Sequence, residues 1–228
     1  SSNTNKRIKD MNWEDEGYLL KKTKFRENAN IINVFTETHG KVSGIVYGGN
    51  SRKIKNYLQI GNKIFLIFKS NNVNKPGYLK TEIINAISPK YFDDKLRSYC
   101  ILSITDLLNS LLPESQSYKK LYTSLNNMIK NLDHNNWPIM YIFWELNLIK
   151  ELGFGLELNK TNSENDLITT EIDNVSYEIP KFIINEITPS NYSSKLITDS
   201  LVFTRNLLLN KFFLPNDLIF PRSRVIFE

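Results

Sequence analysis

The spacing of apolar and polar residues changes period once along this chain. From Tyr18 to Ile87, short runs rich in β-branched and aromatic residues recur with turn signals between them: Tyr18–Lys24, Ile31–Thr36, Lys41–Tyr47, Ile64–Phe68 and Tyr78–Ile84. Gly40, Gly48-Gly49, Gly61-Asn62 and Pro76-Gly77 supply the backbone angles that tight connections need, and Gly44 inside a run fits a bulge or a barrel bend. Five strands in so short a stretch predict a small closed barrel, which leaves no strand edge unpaired. The commonest architecture of that size is the OB-fold, a frequent nucleic-acid platform.

Beyond Ser88-Pro89 the period becomes helical. Leu96, Cys100, Ile104, Leu107, Leu108 and Leu111 share one face that stops before Pro113; Tyr118, Leu121, Tyr122, Leu125, Met128, Ile129 and Leu132 share another. A third helix is predicted from near Asn136, with Pro138 in its first turn and Gly153 as its left-handed cap. Apolar residues nearly encircle it, which predicts a central position. Residues 159–175 are polar and aperiodic and read as a long surface loop. Helical patterning resumes at Phe182–Ile187 and Tyr192–Phe213, and the tail after Pro215 is expected to pack on the helices. The predicted fold class is α+β: an N-terminal five-stranded OB-fold β-barrel over residues 11–88, then an all-helical C-terminal domain over 89–228. Residues 1–10, polar and preceding Met11, read as a disordered or added extension.

Charge sharpens this division. Residues 1–88 hold 15 Lys and Arg against 7 Asp and Glu, whereas the remaining 140 hold 14 against 17. The basic residues gather at two strand-and-turn segments, Lys21, Lys22, Lys24 and Arg26, then Arg52, Lys53 and Lys55 after Gly48-Gly49. Clustering of that kind is the footprint of a polyanion-binding surface. No stretch approaches the roughly 20 apolar residues of a membrane helix, and the N-terminus lacks an apolar signal core, so the expected location is the cytoplasm. Cys100 is the only cysteine, and with only His39 and His134 beside it the chain cannot build a closed Cys/His zinc site. No metal and no cofactor are expected.

Each candidate has a plainer reading. The Gly48-Gly49 turn with Ser51, Arg52, Lys53 and Lys55 can cradle phosphate, but a solvated hairpin has the same sequence; the matching basic strand favours binding. The spacing of a P-loop is absent, which disfavours a nucleotide hydrolase. Tyr47, Tyr57, Phe65 and Phe68 could stack on bases, although most are expected in the barrel core; Tyr47 and Tyr57, nearest the basic turn, are the better stacking candidates. Glu14-Asp15-Glu16 and Asp93-Asp94 are read as solvated or helix-capping, not as metal ligands. His39 and His134 have no nucleophile or acid nearby in sequence and are read as structural, and Cys100 as a small core residue. No catalytic residue is assigned.

Several separated motifs then converge in order: Asp15-x-Gly17-Tyr18-Leu19-Leu20, Thr36-Glu37-x-His39-Gly40, Val46-Tyr47-Gly48-Gly49-x-Ser51-Arg52, Leu58-Gln59-x-Gly61, Trp137, and Phe143-Trp144-Glu145-Leu146-x-Leu148-Ile149-Lys150-Glu151-Leu152-Gly153-Phe154-Gly155-Leu156. Together they resemble the bacterial recombination-repair family RecO, from about Asn12 to the C-terminus. The resemblance implies an OB-fold and a helical domain, binding of single- and double-stranded DNA, and annealing of complementary strands. It also implies partnership with RecR and with the C-terminal tail of single-stranded DNA-binding protein, loading of RecA at gaps, and a nucleoid-associated location. Many members of that family carry a zinc-binding cysteine cluster where this chain has Leu158-Asn159-Lys160-Thr161-Asn162-Ser163, so the 159–175 loop is expected to be ordered by packing alone or to be mobile. The competing class is a non-catalytic scaffold whose basic OB-fold binds structured RNA, which a competition assay against single-stranded DNA would separate.

Overall fold

Alternation of side chains in β-strands decides which residues enter the barrel. In the strands β1 (Trp13–Arg26), β2 (Ala29–Thr36), β3 (Gly40–Tyr47), β4 (Lys63–Lys69) and β5 (Tyr78–Asn85), the residues Leu19, Ile32, Val34, Val46, Ile64 and Leu66 meet in one buried cluster. The strands close in the order β1-β2-β3-β5-β4, with β1 also paired to β4; only β3 and β5 run parallel. With a helix between β3 and β4, this is the OB-fold that the strand spacing predicts. The computed structural model describes residues 12–72 and 74–228, so the expected extension at 1–10 lies outside the described residues.

Two details of the barrel depart from the sequence reading. β1 begins at Trp13, because its acidic start is used: Asp15 Oδ2 accepts the Thr38 and His39 amides at 3.0 and 3.1 Å and lies 2.7 Å from His39 Nδ1. His39 thus gains an acid partner 24 residues away, and its ring stacks on Trp13 at 3.8 Å. Glu16 pairs with Lys63 at 3.0 Å, and burial, reinforced by Glu16, pushes the Tyr18 and Tyr122 phenols well above their usual range. Secondly, Arg52–Tyr57 forms a short helix, α1, where a strand-and-turn segment was expected. Ser51 caps it by accepting the Ile54 amide, and Ile54 and Tyr57, three apart, turn one face onto the barrel core.

Helix α2 (Lys95–Leu111) presents Cys100, Ile104, Leu107 and Leu108 to the interior, as its periodicity predicts. Asp94 caps it, accepting the Arg97 amide at 3.0 Å and the guanidinium at 2.7 Å. The amide bond above all, with help from the guanidinium, holds its carboxyl below the usual range. A depressed folded value stabilises above the unfolded pKa and is lost as pH falls through the folded one. Asp94→Ala should therefore cost about 1 kcal/mol at neutral pH and progressively less in acid, whereas Asp94→Asn keeps the cap and removes the acid dependence. Urea unfolding at neutral and acidic pH checks both outcomes.

Of the described residues, those up to Tyr122 pack as one unit together with Pro221–Phe227, and Thr123–Phe220 form a second. In the first, α7 (Arg222–Phe227) packs on α2, and Ser223 Oγ donates to Asp106 Oδ2 at 2.6 Å. Arg224 and Phe227 are buried there, in keeping with a tail that packs on helices. Helix α3 (Lys119–Asn131) follows the Pro113 stop. In the second unit, α4 (Trp137–Glu151) starts with Pro138 in its first turn, buries eight side chains and ends before Gly153 at φ +101°. It packs against α6 (Ser194–Leu208), while α5 (Lys181–Ile184) is a single turn.

The expected loop over 159–175 is in part a β-hairpin. β6 (Leu167–Ile172) pairs with β7 (Val175–Pro180) through the two-residue turn Asp173-Asn174, both at positive φ. Asp and Asn tolerate that conformation, and the paired positive angles are those of the tight turn that matches strand twist. The residues before it do not fit zinc: Leu158–Ser163 offer no cysteine, Cys100 is buried on α2, and no cluster of three metal-ligating side chains occurs among the described residues. Hydrogen bonds fasten the segment. Asn185 accepts the Thr161 amide at 2.9 Å and donates to its carbonyl at 3.0 Å, and Lys181 Nζ donates to the Ser163 carbonyl at 3.0 Å. Asn185→Ala should raise amide exchange around Thr161 roughly tenfold while α4 stays protected, as expected for losing about 1–2 kcal/mol of local hydrogen bonding.

Candidate nucleic-acid interface

Past Leu20, β1 leaves the core. Every residue from Lys21 to Arg26 is exposed, still paired to β2 by Lys21↔Asn33, Lys22↔Ile32 and Lys24↔Asn30, with register shifts on either side. The tip of this basic hairpin then meets the Gly48-Gly49-Asn50 turn. Gly48 donates its amide to the Asn28 carbonyl at 3.0 Å, Asn50 its amide to Asn28 Oδ1 at 3.1 Å, and Asn50 Nδ2 to the Glu27 carbonyl at 2.7 Å. The two glycines act differently. Gly48 has φ +81°, and a Cβ on Gly49 would lie 2.3 Å from Asn30 Nδ2. The two basic segments that lie apart in sequence are thereby held side by side.

The candidate residues separate on inspection of their partners. Arg52, Lys53 and Lys55 stand exposed on α1, and Lys21, Lys24 and Arg26 on the hairpin; Arg26 lies 4.9 Å over the Phe25 ring. Lys22 instead donates to the Leu58 carbonyl at 2.9 Å, so it joins the hairpin to the end of α1. Ser51 is occupied as the α1 cap. Lys41 belongs elsewhere: it donates to the Asn109 carbonyl at 2.8 Å, and burial lowers its pKa.

The aromatic candidates separate too. Tyr47 is 48% exposed and stacks on Tyr78 at 5.7 Å, whereas Tyr57 is half-buried with its hydroxyl donated to the Thr81 carbonyl at 2.8 Å. Phe65, expected in the core, faces outward because Ile64 and Leu66 on either side face in; Phe68 does pack on the core. Tyr78 and Lys80 went unnoticed in sequence. The signal was the Pro76-Gly77 turn, which delivers β5 to Ile45 on β3 and places both residues beside Tyr47.

An OB barrel with a short helix between its third and fourth strands, a cationic hairpin, and a helical domain following in sequence defines the class. Within that class the chain belongs to the recombination protein O family. The family profile described as Recombination protein O N terminal matches residues 11–87, and Recombination protein O C terminal matches 93–177. Similar relatives include the DNA repair protein RecO of Roseobacter denitrificans, 32% identical over 172 residues that make up 75% of this chain and 69% of the relative. The DNA repair protein RecO of Wolbachia pipientis wMel is 31% identical over 191 residues, 82% and 77% of the two chains. That of Cereibacter sphaeroides is 35% identical over 160 residues, 69% and 66%.

Proposed function

We propose that this protein is a DNA repair and recombination mediator that binds single- and double-stranded DNA through the basic hairpin and α1. It anneals complementary strands and, with RecR, helps load RecA onto DNA covered by single-stranded DNA-binding protein. The observation that carries the reading is the docking of the 48–50 turn on Glu27 and Asn28, which gathers Lys21, Lys24, Arg26, Arg52, Lys53 and Lys55 on one end of the barrel. Cations so grouped neutralise phosphates on two strands at once and lower their mutual repulsion, and annealing needs no covalent chemistry. No described helix is long and apolar enough to cross a membrane, which accords with work at DNA in the cytoplasm and nucleoid. The C-terminal tail of single-stranded DNA-binding protein docks through its apolar end on the helical domain, beside one or more cations.

Arg52→Glu with Lys53→Glu is expected to weaken binding to single strands and duplexes of any sequence alike, by about tenfold or more at low salt, and to flatten the salt dependence. A salt titration of binding, with annealing followed in the same samples, is the test. Unchanged affinity in the double variant would sink the assignment.

A further inference from the structure

The barrel carries an outward-facing feature that phosphate binding leaves unused. β3 and β5 touch through one register pair, Ile45↔Tyr78, and Gly44 permits so close a seam. A Cβ on Gly44 would meet Leu79 Cγ at 2.6 Å, and one on Gly77 the Phe68 ring at 2.3 Å. Leu79 turns into the core, leaving Tyr78 and Lys80 outside. On β4, Phe65 and Ile67 likewise point outward. Between these strands and α1 runs a trough of about 510 Å³, with Ile54, Phe65 and Ile67 along it and Tyr47, Tyr78 and Lys80 beside them. Tyr47 and Tyr78 keep 48% and 43% of their surface exposed, with ring planes 26° apart.

We propose that this trough takes the unpaired bases of a DNA single strand, with Tyr47 and Tyr78 as the stacking platform. The inference rests on the DNA-binding reading above and deepens it. Charge chooses the occupant. Ile54 lies on α1 next to Lys53 and Lys55, Tyr47 directly precedes the basic turn, and Lys80 is in the lining, against a single acid, Glu82. An apolar surface bordered by cations suits a chain that offers one flat base and one phosphate at each step. A duplex hides its bases in the stack and cannot enter. The barrel therefore holds phosphates of either form at the hairpin and α1, and distinguishes a single strand in the trough.

The test uses the full chain and three probes: oligothymidylate, an abasic strand of equal length, and a duplex. The native protein should bind oligothymidylate about tenfold or more tightly than the abasic strand. Tyr47→Ala with Tyr78→Ala should erase that preference and leave duplex affinity within about twofold, and Tyr47→Phe with Tyr78→Phe, which keeps both rings, should retain it. Thermal unfolding of the variants confirms that the barrel is intact. Persistence of the preference in the alanine pair, or no preference in the native protein, overturns the trough while leaving duplex binding to support the mediator reading. Failure of the native protein to bind any of the three overturns both.

Discussion

Gly40→Ala is expected to be among the most damaging single substitutions in the barrel unit, costing about 3–5 kcal/mol. Gly40 opens β3 at φ +71°, a conformation that costs an L-residue about 1–2 kcal/mol. Space is the larger obstacle. An added Cβ would lie 2.0 Å from the Gln116 carbonyl oxygen and 2.5 Å from its carbon, atoms of a backbone that cannot swing aside as a side chain does. The neighbouring Ser115 amide is hydrogen-bonded to the Lys41 carbonyl at 2.9 Å, so relieving the clash breaks a further contact. Gly153→Ala is the control: φ is +101° but nothing lies within 4 Å of the new Cβ, so only the conformational cost remains, about 1–2 kcal/mol. Urea midpoints of the two variants measure the difference. Equal losses would mean that the Gln116 backbone yields freely.

Glu145→Ala should rank beside it in the second unit, at about 3 kcal/mol. This carboxylate is wholly buried on α4, accepting the Thr204 hydroxyl at 2.7 Å and the Tyr141 hydroxyl one turn back. Removing it leaves a cavity and takes an acceptor from two buried hydroxyls. Thr204 keeps the Ser200 and Leu201 carbonyls at 3.2 and 3.3 Å. Combining Tyr141→Phe with Glu145→Ala should therefore cost clearly less than the sum of the two singles, and strict additivity in that cycle would contradict the arrangement.

What could be read in advance was whatever has a period. All five strand runs fall within the observed strands, and the helices α2, α3, α4 and α6 sit where apolar spacing put them, down to Pro138 and Gly153 at the ends of α4. What escaped is either short or held from a distance. The six residues of α1 are too few to display a helical period, and its apolar pair Ile54 and Tyr57 only makes sense against the barrel. The 167–180 hairpin is set by Asp173-Asn174, a weaker turn signal than one with glycine. At the candidate site, both basic segments and Tyr47 were legible as composition. Their juxtaposition was not, since it depends on Asn28 and Asn50, and neither was the commitment of Lys22 to Leu58 or of Tyr57 to Thr81.

The return of residues 221–227 to α2 imposes an order on the life of the chain. Ser223 reaches Asp106 across 117 positions, and Arg224 and Phe227 are buried in a unit whose strands lie within the first 85 residues. On the ribosome, the barrel can close early but its helical flank stays uncovered until everything between has been translated. Closing so long a loop is a late, slow event in folding. The face of α2 that awaits α7 is consequently open to chaperones, and to mispairing, until late in synthesis.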